Sequence, residues 1–279
     1  MDLSYFIFLS SGLFLGWSLG ANDAANVFGT AVGTKMVRFR TAAVISSFFL
    51  ILGAVYSGGG TTETLTRLGN VNALPGAFMV ALSAAVSVYW MIKGGLPVST
   101  SQAIVGAIVG WNFYSGRPTD LSIVSKIVST WVICPVLAGI LATLIYFLVR
   151  SLIKYSKIHL IRQDLYTRIG LIVAGAFGAY ALGANNIANV MGVFVDSAPF
   201  QNLKIGSLTF NPEQILFFIG GIAVSSGIFS YSHKIIKTIG NGLMRMSPIV
   251  AWIVVVSQSL VLYMFASEKL ENFLLSNGL

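Results

Sequence analysis

Eight runs of apolar residues, at about 3–34, 42–59, 73–92, 98–116, 121–149, 169–196, 214–229 and 248–266, are separated by short polar connections. A helix needs roughly 20 apolar residues to cross the hydrocarbon core of a bilayer. The pattern therefore predicts an all-α, polytopic membrane protein with about eight membrane segments. Glycine and other small residues recur inside the runs, as expected where helices approach closely in lipid. The first run is too long for one straight span, because its 32 residues would extend about 48 Å as a helix against a core of roughly 30 Å. It also contains a polar cassette, Gly20-Ala21-Asn22-Asp23-Ala24-Ala25-Asn26. A break in the helix is expected there, freeing carbonyls and half-helix ends to face an ion.

The cassette recurs 163 residues further on, as Gly183-Ala184-Asn185-Asn186-Ile187-Ala188-Asn189 in the sixth run. An unpaired polar group in an apolar medium costs roughly 2–7 kcal/mol when neutral. A polar cassette placed there twice has binding as its default explanation, and its duplication predicts a transporter built from two internal repeats.

Composition agrees with the span count. Hydrophobic residues make up 56% of the chain and charged residues only 9%, with a mean hydropathy of +0.82. Soluble domains carry about a quarter charged residues. The stretch Leu3 to Leu19 lacks a basic leader and runs straight into the cassette, so it reads as part of the first span rather than a signal peptide.

The net charge of +8 changes the picture only through its placement. Lys35, Arg38 and Arg40 follow the first run. Arg150, Lys154, Lys157, Arg162 and Arg168 separate the fifth from the sixth, and Lys234, Lys237 and Arg245 follow the seventh. Basic connections face the cytoplasm. Putting all three clusters there places the N-terminus outside and makes the two cassettes antiparallel across the membrane. This is an inverted-topology repeat, with a first repeat at 1–149, a basic cytoplasmic linker at 150–168 and a second repeat at 169–279. The linker is expected to attract anionic lipid, and short basic connections of this kind give no support to nucleic-acid binding.

Asp23 is the one carboxylate well inside an apolar run. With the side-chain oxygens of Asn22, Asn26, Asn185, Asn186 and Asn189 it makes a donor set suited to a dehydrated Na⁺. The structural alternative is interhelical glue, in which asparagines pair across helices for about 0.6–2 kcal/mol. A second motif is Gly94-Gly95-Leu96-Pro97-Val98-Ser99-Thr100-Ser101-Gln102. Pro97 suits the first turn of a helix, where hydroxyls and free N–H groups cradle an anion. Ser99 and its neighbours serve equally as an ordinary helix cap.

Other signals lead away from catalysis. Gly29-Thr30-Ala31-Val32-Gly33-Thr34-Lys35 is one residue short of a phosphate-binding loop and has no preceding strand. The single Cys134 supports neither a disulfide nor a cysteine metal site. His159 and His233 read as solvated loop residues. With no nucleophile or metal cluster of known spacing, no enzyme is predicted, nor any organic cofactor.

The two cassettes and the segment Pro97-Val98-Ser99-Thr100-Ser101-Gln102 resemble the inorganic phosphate transporter (Pit/PiT) family over nearly the whole chain. The resemblance implies a secondary transporter that imports phosphate by symport with Na⁺, or with H⁺, through alternating access. Related sulfate permeases share the scaffold. It implies a multi-pass protein of the cell (inner) membrane and is compatible with a homodimer. On this basis Asn22, Asp23, Asn185 and Asn186 are assigned to Na⁺. Ser99, Thr100, Ser101, Gln102, Asn26 and Asn189 are assigned to phosphate. Asn186 stands where the family often has Asp, which removes one fixed charge. The second repeat also shows no counterpart of Pro97–Gln102, since the sequence reaches Gly278-Leu279, matching Gly95-Leu96, and stops. A missing C-terminal portion is therefore expected.

Overall fold

Helix dominates as the pattern predicts. The structure is a computed structural model that describes residues 3–68, 71, 74–156, 159–238 and 246–266. In chain order it contains α1 (Leu3–Gly33), α2 (Phe39–Ser57), α3 (Gly59–Leu68), α4 (Leu74–Lys93), α5 (Thr100–Ser115), α6 (Leu121–Ser156) and α7 (Leu160–Met191). A 3-10 turn (Gly192–Ser197) and a hairpin of β1 (Leu203–Ile205) and β2 (Leu208–Phe210) follow, then α8 (Pro212–Ser230), α9 (Ser232–Thr238) and α10 (Pro248–Ala266). Among the described residues, seven helices are long and apolar enough to span a membrane: α1, α2, α4, α6, α7, α8 and α10. The eighth expected segment is α5, of sixteen residues. Gly278-Leu279, matched above to Gly95-Leu96, lie outside the described residues.

The predicted break in the first run does not occur. α1 continues through its cassette for 31 residues, and α7 through its own for 32. Neither cassette contains proline, and alanine, the strongest helix former, fills three of seven positions in the first. Its polar side chains find partners on other elements, so the helix need not open to satisfy them. The discontinuity lies instead between α4 and α5, where Gly95 takes φ +73°, a conformation open mainly to glycine. α5 then folds back along α4. Gly76, near the start of α4, faces the Trp111 ring near the end of α5. Asn112 of α5 donates to the Leu68 carbonyl at the end of α3 (3.2 Å) and to Thr119 Oγ1 (3.1 Å). The pair is a hairpin that returns to the end of the bundle from which it entered.

The basic stretch 150–168 is likewise mostly helical rather than a loop. α6 runs to Ser156, and α7 opens at Leu160 with His159 as its cap, the ring nitrogen accepting from Ile161 N–H at 3.4 Å. An exposed Asp164–Arg168 ion pair (3.5 Å) lies one turn into α7.

Side-chain register fixes helix directions. Phe28 of α1 meets Gly175 of α7, Asp23 meets Asn186, and Gly12 meets Phe194 just beyond α7. The two cassette helices are therefore antiparallel. Ring pairs Phe8–Phe78 (5.9 Å) and Phe14–Tyr89 (5.6 Å) align α4 parallel to α1. Gly170 against Trp252 and the Phe177–Tyr263 pair (5.5 Å) align α10 parallel to α7 in the same way.

Two helix crossings repeat this relation in detail. A Cβ on Gly20 would collide with the Val224 carbonyl of α8, and one on Gly227 with the Trp17 carbonyl of α1. In the α2–α7 crossing, Gly183 faces the Leu50 carbonyl and Gly53 faces that of Tyr180. Glycine is needed at these four points because the backbones touch, the small-residue packing expected in lipid. Beside each crossing lies an aromatic–serine hydrogen bond, Trp17 Nε1 to Ser230 Oγ (2.8 Å) and Tyr180 with Ser57 (2.7 Å). The crossings are images of each other under exchange of α1 with α7 and of α8 with α2. This is the inverted repeat in packing.

α6 lies outside this core. None of its residues is buried, and Ile133, Val136, Ile140, Leu144 and Phe147 are exposed apolar side chains suited to lipid.

Candidate functional site

The site forms where both cassettes pass the tip of the α4–α5 hairpin. Asn22 is held at the tip by two bonds to Val98: its Oδ1 accepts from Val98 N–H (3.1 Å) and its Nδ2 donates to the Val98 carbonyl (2.5 Å). The same Nδ2 donates to Asp23 Oδ1 (2.5 Å). Asn186 Nδ2, from α7, donates to Asp23 Oδ2 at 3.2 Å. Asn186 Oδ1 accepts from Asn189 Nδ2 (3.2 Å), which also donates to Ser101 Oγ (2.7 Å). The bonds make a closed circuit that leaves the hairpin at Val98, crosses both cassettes and returns to it at Ser101.

Within that circuit the electrostatics are unbalanced. Asp23 is only 6% exposed. Among the described residues no ion pair reaches it, and both its oxygens rest on neutral amide donors. Burying an ionised carboxylate without a counter-charge is strongly unfavourable. The donors nearby are amide and hydroxyl oxygens, and no group of three His, Cys, Asp or Glu gathers among the described residues. Such a set suits a hard monovalent cation better than a transition metal.

The hairpin tip supplies the complementary feature. Ser99 caps α5, its Oγ accepting from Gln102 N–H at 3.3 Å. Thr100 is 2% exposed, and its Oγ1 has no hydrogen-bond partner among the described residues. An orphaned hydroxyl in the first turn of a sixteen-residue helix, beside N–H groups carrying the positive end of the helix dipole, is suited to an anion. The cap and cradle readings of this motif thus fall on different residues, Ser99 capping and Thr100 free to bind.

Five of the expected residues, Asn22, Asp23, Asn186, Asn189 and Ser101, join in the circuit, with Thr100 one residue from it. Asn185 is half-buried beside Asn186. Asn26, Ser99 and Gln102 have exposed side chains at the margin. Two contributors were not among the expected site residues. One is Val98, which lies inside the second motif but acts through its main chain, a role no side-chain pattern announces. The other is Gln258 of α10, which donates to the Asn26 carbonyl. Its signal was present as a polar triplet, Ser257-Gln258-Ser259, inside an apolar run.

An antiparallel pair of cassette helices, a re-entrant hairpin and a buried polar circuit define a membrane transporter rather than an enzyme. The sequence profile of the phosphate transporter family matches residues 19–270, and the chain belongs to that family. Proteins of Pyrococcus abyssi and Methanocaldococcus jannaschii, provisionally named as phosphate permeases, are 23% and 25% identical to it. Those alignments cover 88% and 86% of this chain, and 80% and 71% of the relatives. A sodium-dependent phosphate transporter of Plasmodium falciparum is 30% identical over 53% of this chain and 24% of its own length. The fold is that of a solved structure described as the sodium-dependent phosphate transporter. The TM-score is 0.75 at 21% identity, over 94% of this chain and 84% of the other.

Proposed function

We propose that the chain imports inorganic phosphate by symport with Na⁺, through alternating access about the circuit centred on Asp23. The observation that carries this reading is a buried carboxylate with no ionic partner among the described residues, linked by hydrogen bonds to a helix entry whose buried hydroxyl has no partner among them either. Na⁺ enters among Asp23, Asn22, Asn185 and Asn186 and supplies the missing positive charge. Phosphate then docks at the start of α5, on Thr100, Ser101 and Gln102, with Asn26 and Asn189 flanking it and Ser99 holding the turn. Each charge lowers the cost of burying the other. Without either, the site disfavours closing around the remaining charge.

The moving unit in this reading is the α4–α5 hairpin with α10, working against the close crossings of α1 with α8 and α2 with α7. The described basic residues of the three clusters gather where α1 ends. α6 hands over to α7 there, and the His233 ring of α9 lies 5.0 Å from Phe39. By the charge rule that end is cytoplasmic and the N-terminus is external. The repeats then occupy 1–149 and 169–279, joined through 150–168.

Phosphate uptake into proteoliposomes at fixed pH, with Na⁺ replaced by choline, tests the coupling. Uptake is expected to fall to the level of empty vesicles. Undiminished uptake in choline that follows a pH gradient instead would assign the coupling to protons.

A further inference from the structure

Gln258 sits in the middle of α10, the helix that packs along α7 in the second half as α4 packs along α1 in the first. Its side chain crosses to the first half and donates to the carbonyl of Asn26, the last residue of cassette one. The neighbouring serines do not share this task. Ser257 and Ser259 are buried and return their hydroxyls to their own helix, at the carbonyls of Ile253 (2.7 Å) and Val255 (2.6 Å).

The inverted repeat makes the bond more telling. Phe14 with Tyr89 in the first half matches Phe177 with Tyr263 in the second. Gln258 lies five residues before Tyr263, and the residue five before Tyr89 is Ala84, buried and apolar. A methyl group cannot donate, so the equivalent turn of cassette two, at Asn189, receives no such clamp from α4. Asn189 is instead held through its own side chain, to Ser101 and Asn186. Asn26 has an exposed side chain, and its bond to Gln258 runs through its main chain.

We propose that Gln258 is a positioning residue of the transport site. By holding the main chain at Asn26 it sets the direction of the Asn26 amide toward phosphate and ties α10 to cassette one. This rests on the assignment of phosphate to the Asn26 side of the site. Asn22 and Asp23 are fixed by their own bonds to Val98 and Asn186, so loss of Gln258 acts on phosphate and spares the cation.

The test uses Gln258→Met, which keeps length and volume but removes the donor, and Gln258→Glu, which keeps shape and replaces the donor with an acceptor. Both are reconstituted beside the unaltered chain. The unaltered chain must first show Na⁺-dependent phosphate uptake; if it does not, the transport reading itself fails. Given that uptake, both variants are expected to raise the phosphate KM about 10-fold at saturating Na⁺, leaving the Na⁺ concentration for half-maximal uptake within about twofold. The inference is overturned by an unchanged phosphate KM in either variant. It is equally overturned by parallel shifts for Na⁺ and phosphate, or by a variant too poorly folded to elute as the unaltered protein does while the other transports normally.

Discussion

At the site, Asp23 and Thr100 are the residues whose described surroundings leave something undone, although partnerless buried hydroxyls also occur away from it, at Ser18, Thr30 and Ser47. Among the described residues, Asp23 is buried with amide donors on both oxygens and no ion pair, and Thr100 buries a hydroxyl without a hydrogen-bond partner. An unsatisfied buried hydroxyl costs about 1–3 kcal/mol. Thr100→Val keeps the shape and removes that penalty. It is expected to raise thermal stability by about 1 kcal/mol without phosphate, yet weaken phosphate about 10-fold. Melting in detergent and uptake kinetics check the two halves separately, and a loss of both stability and affinity would mean that the hydroxyl serves the fold. At this scale the sequence was informative wherever a polar side chain interrupts an apolar run, which is how Asn22, Asp23, Asn186, Asn189 and Ser101 stand out. It was silent on Val98, which acts through its main chain. It was silent on Gln258 as well, because the triplet Ser257-Gln258-Ser259 has no second copy to mark it.

Among the elements, the α1–α8 and α2–α7 crossings are the tightest described, because backbone meets backbone at Gly20, Gly227, Gly53 and Gly183. Gly20→Ala places a methyl group on the Val224 carbonyl and must push the helices apart. Overpacking of this kind costs about 1–3 kcal/mol. Gly139→Ala in peripheral α6, where a Cβ meets nothing within 4 Å, is expected to be neutral or slightly stabilising, by up to about 1 kcal/mol. Melting temperatures of the two variants check the contrast; equal effects would mean that the crossings are looser than described. The apolar runs located the helices well, since lipid-spanning length is a strong constraint. They did not show that the cassettes stay helical, because partners on other helices satisfy the polar groups that would otherwise open the backbone. Nor did they reveal the β1–β2 hairpin, whose strands of three residues are too short for alternation to register. That α5 folds back along α4 depends on the Gly76–Trp111 contact, which is remote in sequence.

For the molecule as a whole, the antiparallel relation of the cassettes was readable from charge placement, and the register of α1 against α7 bears it out. The consequence is a single circuit that draws on both halves and on the hairpin. In the proposed reading cation and phosphate meet there, and coupling depends on Asp23 carrying its charge. The most direct measurement is phosphate uptake driven by a Na⁺ gradient into proteoliposomes, comparing the unaltered chain with Asp23→Asn. The substitution preserves size and removes the charge. Loss of Na⁺-driven uptake by at least about 100-fold, with the protein still eluting and melting as a folded species, is the expected result. Full Na⁺-dependent uptake by Asp23→Asn would contradict the assignment of Asp23 as the coupling carboxylate.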